Sequence, residues 1–512
     1  MNFDYIIIQC GGLGTRLRPY TNNRPKALVP FKNKPLISHM FAKYPDKRFI
    51  IIADYKYEVL EKYLENFADI PYIPIHITEK GNIAGIKKAL TYIPNDKGIM
   101  IIWSDVVLGN GFKPEVLPND SNYVGITDRF TCSWSSVEGK LDKVTVPGKG
   151  VSGCFIFKNK QELSTIPDSG SLTLWMRDND IRYSDMDMAD SIEIGTVDAL
   201  KSADTKDNRC RPYNRITIDG DTVIKEGITK EGESLLIRER EWYSALSDAG
   251  FAGIPKIFQM SPLKMQRIHG DNIFKASIPE DCKQSVLSNM VGRLKELHSL
   301  SPSSPDCFDM EKDYYRKTVK RLASIRNCLP FSDDEFITIN GKKCRNVFKC
   351  PELFKRSAEN IFSSAPTFGI IHGDCTFTNT LIDDNENIYF IDARGYFGDT
   401  SLVGDPDYDW AKIYYSIVGA FDQFNIGKFR LDISDTDVTY KIESSGWEAY
   451  EDHFWKLIPE ADPYRVRFIH AIVWLSLASH CYEDYDSMCL AYYNGLYLWN
   501  ELIEENEDLC RN

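Results

Sequence analysis

Along the first ~200 residues, short apolar runs alternate with stretches whose apolar positions recur at helical spacing. Tyr5 to Ile8 is one run, closed almost at once by Gly11 and Gly12. Arg48 to Ala53 is a second, and Val59, Leu60, Tyr63 and Leu64 follow it on one helical face. Tyr72 to Ile77 is a third, followed by a predicted helix over Ala84 to Leu90. Gly98 to Trp103 is a fourth, and it ends at Ser104 and Asp105. Strands alternating with helices predict an open α/β sheet. Ligands of such sheets sit beyond the carboxyl ends of the strands, and Gly11 and Asp105 both fall there.

Around Lys201 to Arg211 the pattern turns polar and charged, which predicts a boundary between a domain over 1–205 and one over 206–512. A hairpin signal follows: Arg215 to Ile218, then Asp219, Gly220 and Asp221, then Val223 to Lys225. An Asp-Gly turn between two strand-like runs is a strong local cue. Later segments read as helical, except for one further hairpin near residue 385. Internal repeats and low-complexity tracts do not appear.

Composition narrows the class. A chain of 512 residues, 43% hydrophobic and 26% charged, suggests two or three domains at roughly 100–200 residues each. A net charge of -13 argues against nucleic acid as a partner, since that footprint needs a basic face. It leaves room for nucleotides, whose phosphates a few lysines and a metal ion neutralise locally. The 13 cysteines form no C-x-x-C pair, so neither a zinc site nor a disulfide framework is expected, and reduced thiols in the cytoplasm are. The start of the chain has no basic region leading into an apolar stretch. No apolar run approaches the ~18 residues that span a bilayer, so membrane insertion is not expected, and Ala471 to Ala478 reads as a buried helix.

The first chemical constellation follows the first run. Gly11, Gly12 and Gly14 let backbone N–H groups approach a polyanion closely, and Arg16 and Lys26 add positive charge to the same loop. The whole string, from Gly11 through Thr15, Arg16, Leu17, Pro19 and Thr21 to Pro25, Lys26, Leu28 and Pro30, resembles the signature of the sugar-phosphate nucleotidyltransferase superfamily. The resemblance implies a Rossmann-like domain that transfers a nucleoside monophosphate from an NTP to a phosphorylated acceptor. Gly11, Gly12, Gly14 and Thr15 would bind the nucleotide, and Arg16 and Lys26 would hold its phosphates. Asp105 matches the family's metal-binding aspartate, although Ser104 stands where glycine is usual. Glu193 lies where a second metal-binding aspartate is common, a carboxylate on a longer arm. The expected metal is Mg²⁺. The usual acceptor-side E-K-P segment is absent, and Lys143 is a loose counterpart.

The second constellation runs from His372, Gly373 and Asp374 to Asn379, then Thr380 to Ile382, a polar turn, Ile388 to Ile391, and Asp392. Two apolar runs around a polar turn predict a hairpin. Asn379 and Asp392 are equally spaced from its centre and are expected side by side, within reach of one metal ion. Asp374 is placed to accept a proton from a substrate hydroxyl. The pattern resembles the aminoglycoside phosphotransferase and choline kinase superfamily. That resemblance implies ATP and Mg²⁺, and a bilobal protein-kinase-like α+β domain with lobes over 206–270 and 271–512 and a hinge at Met265 to Gly270. Lys225 would grip the ATP phosphates with Glu239 as its helix partner, Glu241 being a near alternative. Asp409 is expected to be structural, and His372 to shape the loop rather than act as the base. Near the C-terminus, Trp447, Trp455, Trp474, Tyr482, Tyr485, Tyr492, Tyr493 and Trp499 offer an aromatic box for a choline-like cation or, as favoured here, helical core.

Together these readings lead to an expected function. A kinase would phosphorylate a small sugar or amino alcohol, and a nucleotidyltransferase, with CTP or UTP as the expected nucleotide, would join the phosphate to an NMP. The NDP-activated product would serve surface polysaccharide or glycan synthesis. The alternatives are a choline kinase/phosphocholine cytidylyltransferase and a non-catalytic nucleotide or metabolite sensor. Oligomeric state has no signature in the sequence.

Overall fold

The computed structural model describes residues 1–79, 81–203 and 213–506. The chain divides into two compact units, Met1–Lys206 with Glu483–Asp486, and Asp207–Tyr482 with Ser487–Asn512. The polar segment over 204–212, where the sequence puts the boundary, lies outside the described residues, as do Cys210 and Cys510. No disulfide joins two of the eleven described cysteines. Among the described residues, no helix is long and apolar enough to cross a membrane.

The first unit is built on a mixed sheet. The unit's strands include β1 (Tyr5–Gln9), β2 (Arg48–Ala53), β3 (Tyr72–His76), β4 (Ile99–Trp103), β5 (Val106–Val107), β6 (Tyr123–Thr127), β7 (Gly150–Phe157), β8 (Ser184–Asp187) and β9 (Ile192–Glu193), of which β5 and β9 pair with each other in a separate two-stranded sheet. Helices α1 (Tyr57–Phe67) and α2 (Ile83–Leu90) make the crossovers after β2 and β3. The main sheet runs β3-β2-β1-β4-β7, with β6 beside β7 and β8 beside β6. Strands β1 to β4 are mutually parallel, and β7 is antiparallel to β4. Ile6 to Ile8, Phe49 to Ile52 and Ile99 to Ile102 are all buried, because parallel strands covered on both faces need continuous apolar runs rather than alternation. The antiparallel strands β6 and β7 are the part that the run-by-run reading did not anticipate.

This order fixes where a ligand can enter. The crossovers step from β1 to β2 to β3 and then return to β4 on the other side of β1, so the chain switches direction between β1 and β4. The register pairs Gln9 with Trp103, and the Ser104 N–H donates to the Gln9 carbonyl at 3.2 Å. The segments leaving β1 and β4 therefore start side by side, at the switch point where open α/β sheets bind ligands.

The second unit opens with β10 (Asn214–Asp219) and β11 (Thr222–Gly227), then α3 (Lys230–Asp248) and β12 (Leu263–Gln266). β11 lies between β10 and β12, antiparallel to both. The hairpin loop is Gly220-Asp221, with Gly220 at φ 56. Thr229 caps α3 by accepting from the Gly232 N–H at 3.0 Å, and Leu236, Glu239, Trp242, Tyr243 and Leu246 form its buried face. Further along come α4 (Lys317–Ile325), β13 (Phe336–Ile339), β14 (Lys342–Arg345), β15 (Thr380–Asp383), β16 (Ile388–Phe390), α5 (Pro406–Ile417), β17 (Phe429–Ile433), β18 (Asp437–Ile442) and α6 (Pro463–Ala478). Helix α6 is apolar nearly all round and buried along most of its length, as a helix inside a domain core must be.

Two expectations are corrected here. The helical reading of the later chain missed a four-stranded sheet of order β14-β13-β18-β17. Its signal was present: Ile337 and Ile339 alternate with half-buried neighbours, and Asn340 and Gly341, at φ 49 and 80, form the two-residue loop that favours a hairpin. The hairpin near residue 385 forms, but its register pairs Thr380 with Phe390. Asn379 is therefore opposite Ile391, whose N–H donates to the Asn379 carbonyl at 3.1 Å. Asp392 stands one position further out, at φ 59, because the turn is centred half a residue earlier than the symmetric count assumed.

One glycine of the first sheet is under a geometric requirement. Gly153, at φ 83, sits where the β7–β6 register shifts, and a Cβ there would fall 2.1 Å from the Trp103 ring. Gly153→Ala is expected to lower the unfolding free energy by about 2–4 kcal/mol, from the left-handed backbone and the clash together. Urea unfolding checks this, and a wild-type transition would contradict the packing described.

Candidate active sites

In the first unit the loop leaving β1 folds back on itself. Gly14 is left-handed at φ 61, and a Cβ on it would lie 2.8 Å from the Thr21 methyl. The Thr21 hydroxyl donates to the Gly14 carbonyl at 2.9 Å. A Cβ on Gly12 would meet no protein atom, so packing within the protein does not call for glycine there, and the loop stays open for a ligand. Thr15 to Leu17 and Lys26 to Leu28 form short 3₁₀ turns, anchored by buried Leu17, Ala27 and Leu28. These turns aim Arg16 and Lys26 at two carboxylates.

Asp105 follows β4, and its side chain is almost wholly buried. Lys26 Nζ pairs with its Oδ2, while Oδ1 is buried with no hydrogen-bond partner. Glu193 is brought alongside because β9 pairs with β5, and the Ile194 N–H donates to the Asp105 carbonyl at 2.8 Å. Arg16 Nη2 lies 3.6 Å from Glu193 Oε1. Burial and the neighbouring Asp105 charge push the Glu193 carboxyl up, against the pull of Arg16 and Lys26. Gly195 keeps this corner clear, since a Cβ on it would sit 2.5 Å from Glu193 Oε1. The fold thus gathers Arg16, Lys26, Asp105 and Glu193. Lys143 lies elsewhere, exposed after the short hairpin of Ser135–Val137 and Lys140–Asp142.

In the second unit, Lys225 on β11 makes two ion pairs. Its Nζ is 2.7 Å from Glu239 Oε2 on α3 and also pairs with Asp392 Oδ1. Burial alone would disfavour its charge, but Asp392 and Glu239 outweigh burial and hold Lys225 above its ordinary range. Burial pushes Glu239 up to about 7 despite Lys225. Of the two helix partners weighed for Lys225, Glu239 is buried and paired while Glu241 is exposed.

Asp374 is held from two sides. Lys412 Nζ lies 2.9 Å from its Oδ1, and Asn379 Nδ2 donates to its Oδ2 at 2.9 Å. Its side chain is still 42% exposed and open to solvent. Burial works to raise its pKa, but Lys412 and Arg394 more than compensate and keep it below the usual carboxylate range. It is ionised and able to accept a proton.

The loop carrying Asp374 is fixed by Asp409 on α5. That carboxylate accepts from the His372 N–H at 2.8 Å, the Gly373 N–H at 2.7 Å and His298 Nε2 at 3.0 Å, and it has no exposure at all. His372 accepts from the Asp374 N–H through Nδ1 and donates through Nε2 to the Ile391 carbonyl. Both nitrogens are engaged, and burial lowers the pKa of the ring, so it serves as a neutral spacer in the loop. Sequence reasoning missed Lys412 and Arg394. Their signals were a lysine one turn after Asp409 on a helix and an arginine two residues after Asp392.

The aromatic residues near the C-terminus are mostly core. Trp474, Tyr492, Tyr493 and Trp499 have no exposure. Trp447 is buried too, and the Lys283 ammonium already stands 5.3 Å from its ring.

A glycine loop, two cations and two carboxylates thus meet at the switch point of an α/β domain with a largely parallel sheet. Residues 5–121 match the family model described as Nucleotidyl transferase, so the N-terminal unit carries a nucleotidyl transferase domain. Bifunctional protein GlmU of Methanocaldococcus jannaschii is 33% identical over 105 residues, 20% of this chain and 24% of that protein. D-glycero-alpha-D-manno-heptose 1-phosphate guanylyltransferase of Campylobacter jejuni is 33% identical over 99 residues, 18% of this chain and 45% of that protein. The solved CTP:phosphocholine cytidylyltransferase of Streptococcus pneumoniae covers 40% of this chain and 99% of its own at 21% identity, with a TM-score of 0.34. The chain spans about a quarter of the length of the GlmU relatives.

Asp409→Ala would leave two backbone N–H groups and His298 without their acceptor. The expected loss is about 3–5 kcal/mol of unfolding free energy, as for other broken buried pairs. The exposed Asp435→Ala should stay within about 0.5 kcal/mol of wild type. Urea unfolding of both variants checks the contrast.

Proposed function

We propose that the chain is a bifunctional enzyme whose two units act in series. The second unit phosphorylates a small hydroxyl compound with ATP. The first unit then transfers a nucleoside monophosphate from an NTP, CTP or UTP, onto that phosphate and releases pyrophosphate. The product is an NDP-activated sugar for surface glycan synthesis. The observation that carries the reading is the pairing of a lysine with buried or metal-suited carboxylates in each unit, the half-buried Lys26 with Asp105 and the buried Lys225 with Glu239 and Asp392. The family match over residues 5–121 supports the nucleotidyl step.

Both sites have oxygen donors suited to a divalent cation. Asp105 Oδ1 is orphaned although buried, and Glu193 is short of positive charge. Asn379 turns its Nδ2 to Asp374, which leaves its Oδ1 without a hydrogen bond among the described residues, and Asp392 is the nearby carboxylate. These donors suit Mg²⁺, which prefers carboxylate and carbonyl oxygen. Bound at these residues, Mg²⁺ would neutralise phosphate charge and orient the phosphoryl groups.

In the first unit, Arg16 and Lys26 hold the NTP phosphates and lower the repulsion between two anionic substrates. An oxygen of the acceptor phosphate bonds to the α-phosphorus. The bond to the bridging oxygen breaks, and pyrophosphate leaves with its electron pair. No protein nucleophile takes part, and burial pushes the nearby Cys10 thiol up to about 12. In the second unit, Lys225 holds the ATP phosphates, kept in place by Glu239. Asp374 takes the proton of the acceptor hydroxyl, the oxygen bonds to the γ-phosphorus, and ADP leaves with the pair from the broken bond. Positioning and charge account for most of the rate in both steps.

The test separates the two steps. Asp105→Asn is expected to lower nucleotidyl transfer by about 10³-fold and leave phosphorylation of the acceptor intact. Asp374→Asn is expected to lower phosphorylation by about 10²–10⁴-fold and to leave nucleotidyl transfer to a pre-phosphorylated acceptor intact. Mass spectrometry of both half-reactions, across an NTP and acceptor panel, reads the result. If the wild-type chain carries out neither half-reaction, nucleotide or metabolite sensing becomes the reading.

A further inference from the structure

Near Asp374 lies a group of four cations, of which Lys412 and Arg394 also keep that carboxylate ionised. Lys317 and Arg321 lie one turn apart on α4, Arg394 follows Asp392 by two residues, and Lys412 projects from α5. Arg394 pairs with Asp313 through both Nη atoms, and Lys317 Nζ lies 2.6 Å from Asp313 Oδ2. Tyr408 ties the group together. Its ring centroid is 5.2 Å from the Arg394 Cζ, 5.8 Å from Lys317 Nζ and 6.0 Å from Lys412 Nζ. The Tyr396 ring is likewise taken, with Arg394 at 4.0 Å and Arg238 at 4.4 Å.

The charges do not balance. Asp313 and Asp374 are the two carboxylates paired with these cations, and Arg321 makes no ion pair among the described residues. Burial, reinforced by Arg394, pushes the Lys317 ammonium down to about 7 although Asp313 touches it. Burial lowers the pKa of Arg321 as well, opposed by Tyr408 and aided by Arg394. A half-buried site with surplus positive charge is stabilised by an anion and repels a cation. Its aromatic faces already carry the protein's own cations, so they offer no place to a quaternary amine.

We propose that the acceptor phosphorylated beside Asp374 is itself an anion, a small hydroxyl compound bearing a carboxylate or phosphate group held by Arg321, whose guanidinium makes no ion pair among the described residues. This rests on the phosphoryl-transfer reading of the second unit. The acceptor hydroxyl faces Asp374, and the anionic group lies toward α4. Arginine suits the task because its planar fork matches carboxylate and phosphate oxygens.

The test uses the full chain with ATP and Mg²⁺ and acceptors matched in shape but not in charge. Glucuronate is set against glucuronamide and glycerate against glyceramide for the carboxylate arm. Glucose 6-phosphate is set against glucose and glycerol 3-phosphate against glycerol for the phosphate arm, with choline and ethanolamine as cations. At least one anionic compound is expected to be phosphorylated with kcat/KM about 10-fold or more above its neutral partner, the span of a lost charged hydrogen bond. Arg321→Gln should raise the KM for that anion and leave the KM for ATP unchanged. Neutral or cationic compounds phosphorylated as well as the anions would overturn the inference while the kinase reading stands. No transfer to any compound would also overturn it. ATP binding that is lost in Lys225→Ala then preserves the kinase reading, and absence of ATP binding removes both.

Discussion

A carboxylate can leave water only if hydrogen bonds or opposite charges replace its hydration, at a cost of several kcal/mol otherwise. That constraint organises both units. Asp105 is tolerated because Lys26 reaches it, Glu239 because Lys225 does, and Asp409 because two backbone N–H groups and His298 surround it. Each pairing joins different elements of the fold, so satisfying the buried charge also assembles the site. Asp409 shows this most plainly: a residue with no exposure and no access to substrate fixes the loop that presents Asp374.

The two sites meet the same difficulty with different scaffolds. Their proposed substrates are anions that repel one another, and in each unit lysine is already held against a carboxylate before phosphate arrives. In the first unit the scaffold is the switch point between the parallel strands β1 and β4, where the backbone at Gly12 is open. In the second it is a four-stranded sheet and a buried helix face, which bring Lys225 and Glu239 together across fourteen residues of sequence. A buried lysine of this kind is poised to exchange one anionic partner for another.

Much of the first unit was legible because parallel strands write themselves as apolar runs. The runs at Tyr5, Arg48, Tyr72 and Gly98 all became strands, and their ends gave the glycine loop and Asp105. The antiparallel strands β6 and β7 were harder, since Tyr123 to Thr127 and Gly150 to Phe157 carry Gly, Ser and Thr among their apolar residues. In the second unit, Lys225 with Glu239 and Asp374 with Asn379 were named from short motifs and do meet in space. The hairpin register was misjudged by one because a symmetric count cannot see where the turn closes. Asp313, Lys317, Arg321 and Lys412 were invisible as a group because only folding collects α4 and α5 around Tyr408.

The central claim is that phosphate placed by one unit is used by the other. The direct measurement follows that phosphate. The full chain is incubated with an unlabelled NTP, the acceptor panel and ATP radiolabelled in its γ-phosphate, and the products are separated. The account predicts label in the phosphate that joins the acceptor to the nucleotide, with unlabelled pyrophosphate released. Label confined to orthophosphate or pyrophosphate, with an NDP-linked product absent or unlabelled, would contradict it.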